Sequence, residues 1–174
     1  MLTTIVILER STHGQEEHMQ QVSPDTASPP QSSPQNLLAA ISWALLVTVM
    51  LGGYALLRLL TGAGKLSGFE EQFFRAGHAH AGVLAAIGIL YSSYLGRTIL
   101  PPRRQVAAWC VYLVGVLLMS GGLFLHMVIG EEGEGSAGTT MTATGGVVLA
   151  VAVLYLAWHL YQARDVAVVI APKG

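Results

Sequence analysis

The chain has a single cysteine, Cys110, and few charges: charged residues make up 11% of its 174 residues. One cysteine excludes an intrachain disulfide, and its position inside an apolar run reads as a small buried hydrophobe. Soluble domains carry about 25% charged residues, so this chain cannot coat a water-facing surface in the usual way. The formal net charge is -1, which leaves no electrostatic case for binding nucleic acid. No Cys-x-x-Cys-His is present, so covalently attached haem is excluded. His-Glu-x-x-His zinc spacing and nucleophile motifs are also missing. The N-terminal apolar stretch, Met1 to Leu8, is short and has no basic segment before it. It does not read as a cleaved signal, and a retained tail is expected.

Apolar residues are abundant. They make up 52% of the chain, and mean hydropathy is +0.54. They gather in four runs, 37–60, 76–95, 106–129 and 140–161. Each is about the 20 residues needed to cross ~30 Å of hydrocarbon as a helix. Lipid offers no partner to backbone N–H and C=O groups, so helices are required, and no run alternates as a barrel strand would. The expected fold is all-α, a four-helix transmembrane bundle with both termini on the same side. Residues 1–36 form an expected N-terminal tail. Its segment Ser23–Gln35 holds four prolines and four serines and cannot bury enough surface to order itself. Residues 162–174 form an expected C-terminal tail, and Pro101-Pro102 is expected to stop helix 2 and start a turn.

Basic residues set an expected orientation. Arg10, Arg97, Arg103, Arg104, Arg164 and Lys173 fall on the side of the termini, whereas Arg58, Lys65 and Arg75 fall on the other. An excess of six over three places both termini in the cytoplasm. Trp43, Trp109 and Trp158, with Tyr91, Tyr94, Tyr112, Tyr155 and Tyr161, lie on the same half as an expected interfacial belt. His159 reads as a member of that belt. His13 and His18 fall in the N-terminal tail and read as solvated.

The residues that carry chemistry cluster on the opposite face. Helix 2 opens there with FFRAGHAHAG, Phe73 to Gly82. With Arg75 at the interface, His80 is expected roughly 7 Å deep, and His126, four residues before Gly130, roughly 6 Å deep. His78 and His80 are about 200° apart on a helix, so one of them at most can face His126. His80, the better matched in depth, is the expected partner. Ionisable residues within a membrane usually face the bundle or a wet cavity. Two facing imidazoles suit haem b as axial ligands. With a carboxylate they suit a transition metal, for which His78, His80, His126 and Glu131 are the candidate ligands. Glu70, Glu71, Glu132 and Glu134 lie on the same face. Proton exchange with a quinone is a third use of such histidines. Phe69, Phe73, Phe74 and Phe124 are placed to wall the group.

The stretch FRAGHAHAG and the four-span layout resemble a group of small four-span membrane proteins of high-GC Gram-positive bacteria. That resemblance implies a bacterial plasma membrane. Its His-x-His opening is similar to those of membrane haem proteins, which implies a haem ligand at His80. Some small proteins of this kind travel as accessory subunits of respiratory complexes, and the resemblance implies that role as an expectation. Small residues at helical spacing (Gly77, Ala81 and Ala85; Gly82 and Ala86; Gly52-Gly53) permit close helix contact. The expected partners are the lipid bilayer and other membrane-protein subunits. The sequence predicts a non-catalytic accessory subunit, with a haem- or metal-binding protein as the alternative.

Overall fold

The computed structural model describes residues 34–63 and 66–170. Four long helices account for most of them: α1 Pro34–Arg58, α2 Gly68–Leu95, α3 Pro102–Ile129 and α4 Ala137–Ile170. All four are long and apolar enough to cross a membrane, and no strand occurs among the described residues. The protein is a multi-pass membrane protein, as the four apolar runs require. Residues 1–33, the bulk of the expected N-terminal tail, lie outside the described residues.

The helix ends differ from the expected ones for local reasons. α1 begins at Pro34, inside the segment expected to be irregular, and its first residue is the one position where proline costs a helix nothing. It ends in a widened turn, Leu59–Ala63, where Gly62 adopts φ +132°, a conformation that favours glycine. α2 starts eight residues before its apolar run. Ser67 Oγ accepts the Glu70 N–H at 3.2 Å and the Glu70 carboxylate accepts the Ser67 N–H at 2.7 Å. This reciprocal cap offsets two unpaired backbone donors and carries Phe69, Phe73 and Phe74 into the helix. Pro102 opens α3, so the Pro-Pro pair starts a helix as well as a turn. α4 continues to Ile170, and no proline interrupts the chain between Ala137 and Pro172. Residues 162–170, expected as tail, are therefore helical.

The helices lie in chain order, each packed on the next. α3 is the most enclosed, and α1 and α4 do not touch each other. The bundle is an open row with α1 and α4 at its edges. Close approach is tightest between α3 and α4. A Cβ added at Gly115 would lie 2.8 Å from Leu149 Cγ, and one at Gly145 would strike the backbone of Met119. Without glycine at these positions the two backbones could not reach this separation, and in lipid such contact is a main source of helix association.

The core sits toward the end that carries the α2–α3 connection. There Tyr91 and Tyr112 stack with ring centroids 4.6 Å apart. Their hydroxyls cross between helices, Tyr91 to the Ala152 carbonyl at 3.0 Å and Tyr112 to the Leu84 carbonyl at 2.7 Å. Both rings are buried, as is Trp109 at 4% exposure. These three residues belong to the core and not to an interfacial belt, because each lies on a face turned to a neighbouring helix. Trp43, Trp158 and Tyr161 are exposed. His159 is half-buried, its ring set edge-on to Tyr155 at 4.4 Å, and its buried Nδ1 has no hydrogen-bond partner.

Candidate functional site

At the opposite end, the beginning of α2, the end of α3 and the α3–α4 loop enclose a cleft of ≈ 580 Å³. Its lining includes Phe69, Gln72 and Phe73 of α2, His126 of α3, and Glu132 and Glu134 of the loop. The loop can fold over the helix ends because Gly133 takes φ +83°, where an ordinary side chain would be strained. The Glu134 N–H closes that turn on the Glu131 carbonyl at 3.2 Å.

His126 is the floor of this cleft and is 4% exposed. Its Nδ1 lies 2.8 Å from Ser136 Oγ. The same hydroxyl accepts the Gly138 N–H at 3.0 Å, so Ser136 caps the first turn of α4 and holds the imidazole at once. Phe69 and Phe73 meet the imidazole edge-on, with centroids 5.3 Å and 4.4 Å away. The ring is therefore fixed by one hydrogen bond and two aromatic walls, with Nε2 as its remaining polar atom. A histidine held through one nitrogen is pre-oriented to use the other as a ligand or proton carrier. Phe74 packs edge-on against Phe124 at 5.4 Å, and neither lines the cleft.

The other histidines go elsewhere. His78 turns toward α1 and fills the notch left by Gly52 and Gly53, where a Cβ on Gly53 would lie 2.9 Å from its Nε2. His80 is exposed, and its Nδ1 sits 2.8 Å from the carbonyl of Ala76, one turn back on its own helix. The ring of His126 lies at the level of Phe73, and seven residues, about 10 Å of helix rise, separate Phe73 from His80. The structure therefore does not bring His80 and His126 together: His126 faces Phe69 and Phe73, and His80 bonds back to its own helix. The reason is the early start of α2, which makes Phe69 and Phe73, rather than His80, the neighbours of His126. Among the described residues, no three His, Cys, Asp or Glu side chains converge as a metal-binding group.

The carboxylates divide in the same way. Glu70 caps α2, and Glu71 pairs with Arg75 at 2.5 Å, an exposed contact that contributes little. Glu131 is exposed and does not line the cleft, whereas Glu132 and Glu134 do. Sequence reasoning missed Ser136 and Gln72. Ser136 carried a readable signal, since a serine just before a helix start is a favoured cap, but nothing in the sequence ties it to His126.

No protein-family model, curated protein or solved structure matches the chain.

Proposed function

We propose that the protein is an accessory subunit of a larger membrane complex, of the respiratory kind, in a bacterial plasma membrane, with both termini in the cytoplasm. The observation that supports this most is the open row of helices. α1 and α4 do not close on each other, and α1 presents Leu37, Ile41, Val47, Met50, Leu51 and Leu57 outward. An edge helix with large apolar side chains turned outward suits packing against another membrane protein. Several interior polar groups are taken up by the fold itself: the two tyrosine hydroxyls, Gln105 to the Leu100 carbonyl, and Ser42 to the Leu38 carbonyl. The cytoplasmic placement of the termini rests on the excess of basic residues on their side.

The test is purification in mild detergent from cells that express a tagged copy at native level. Migration within a larger complex, with the same partners crosslinked in intact membranes, is the expected result. Migration as an 18.4 kDa chain with detergent alone, and no crosslinked partner in membranes, overturns the proposal.

A second reading is a metal-binding protein, and the fixed orientation of His126 in a cleft that Glu132 and Glu134 also line favours it. It expects stoichiometric metal in the purified protein, lost on His126→Ala and kept on His80→Ala. A metal-free, colourless protein from cells grown with ample metal overturns that reading.

A further inference from the structure

A second concavity lies at the other end of the bundle, between α3 and α4. Its volume is ≈ 240 Å³, and Ala107, Ala108, Val111, Val151 and Ala152 line it with Tyr91, Tyr155 and Arg104. Ala108, Ala152 and Tyr91 form a buried floor, while Val111, Val151 and Tyr155 are exposed walls. The groove is open because alanines stand where larger residues would fill it. The Tyr91 hydroxyl is already donated to the Ala152 carbonyl, so the interior offers no free polar group from that side chain. From Arg104 to Val111 the groove runs along two turns of α3, about 10 Å.

Arg104 stands in the first turn of α3, a helix long and apolar enough to cross a membrane, and it is exposed. It has no ion pair and no side-chain hydrogen bond among the described residues, and neither has its neighbour Arg103. Among the described residues, the other arginines of this end are engaged: Arg97 lies over the Tyr94 ring at 4.6 Å and Arg164 over the Tyr161 ring at 3.5 Å. An unpaired guanidinium above an apolar slot, at the depth of the headgroups, has the two chemistries of one molecule. We propose that this groove holds an anionic phospholipid, with an acyl chain along Ala107, Ala108 and Val111 and the phosphate on Arg104. A guanidinium binds a phosphate through two parallel hydrogen bonds. Basic pockets between transmembrane helices are a recognised setting for acidic lipid headgroups. A zwitterionic lipid offers the same phosphate but adds an ammonium group beside Arg103 and Arg104, so its headgroup brings no net negative charge to match them.

The test is native mass spectrometry of the full chain released from nanodiscs that contain equal phosphatidylethanolamine and phosphatidylglycerol. The wild type is expected to retain phosphatidylglycerol in preference to phosphatidylethanolamine. Arg104→Gln should lower that preference about fivefold, the contribution of roughly one basic residue at an acidic surface. Arg97→Gln, outside the groove, should leave the preference unchanged. Ala107→Trp should fill the slot and reduce retention of both lipids. Equal retention of the two lipids by the wild type overturns the proposal. Equal loss in Arg104→Gln and Arg97→Gln also overturns it, since that result means a diffuse charge effect and no groove. A change in retention is readable only from folded protein, which the helical circular dichroism of each variant reports.

Discussion

The Nδ1 atom of His126 lies 2.8 Å from the Oγ atom of Ser136, and this one contact ties the last turn of α3 to the residue that starts α4. Because Ser136 Oγ also accepts the Gly138 N–H, a single hydroxyl serves a buried imidazole and an unpaired backbone donor. Ser136→Ala removes both partners. Leaving a buried polar group unsatisfied costs about 1–3 kcal/mol, so Ser136→Ala is expected to destabilise the bundle by that amount. Ser136→Thr keeps the hydroxyl and should lie near the wild type. Reversible denaturation in mixed micelles would measure the three proteins. An alanine variant as stable as the wild type would show that the contact contributes nothing to the fold.

Two adjacent glycines on α4 provide an internal comparison. A Cβ at Gly145 would strike the backbone of Met119 and come within 2.9 Å of the Gly115 carbonyl oxygen, whereas one at Gly146 meets nothing within 4 Å. Gly145→Ala forces the α3 and α4 backbones apart and is expected to cost about 1–3 kcal/mol, the range for overpacking. Gly146→Ala is expected to be neutral, or stabilising by up to about 1 kcal/mol through lost chain entropy. The same denaturation experiment reads both. Equal effects of the two substitutions would contradict the close α3–α4 approach.

His78 and Gly53 form a third relationship that a double-mutant cycle can isolate. Gly53→Ala places a methyl group 2.9 Å from His78 Nε2 and should destabilise the α1–α2 contact. His78→Ala removes the imidazole and with it the obstacle. The double variant is expected to be more stable than the sum of the two single changes predicts, by about 0.5–3 kcal/mol, the range for residues in contact. Additive effects would mean that His78 does not occupy the glycine notch.

The four spans were legible in the sequence because hydropathy over 20 residues is a property of the chain and the bilayer together. The capping box Ser67-Gly-Phe-Glu70 was also legible in principle, since its residue types and spacing carry their own mechanism. Reading α2 from its apolar run alone placed the helix start too late and set the depth of His80 by Arg75. Trp109 and Tyr112 show the same limit. Their distance from the helix end suits a belt, but the side of α3 on which they lie puts them in the core.

The histidine group on the face opposite the α2–α3 connection therefore divides into two parts. Sequence alone determined that His78, His80 and His126 stand near one end of the bundle, because helix rise converts residue number into depth. It could not determine which of them face one another, because rotation about each helix axis and the offset between neighbours depend on packing. That packing is set by Gly77 against Phe124, Gly115 against Leu149 and the Gly52-Gly53 notch against His78. These contacts give His126 to Ser136, Phe69 and Phe73, give His78 to α1, and leave His80 on the outside. Lipid rewards any apolar surface alike, so only close contact between particular side chains selects one arrangement of the four helices.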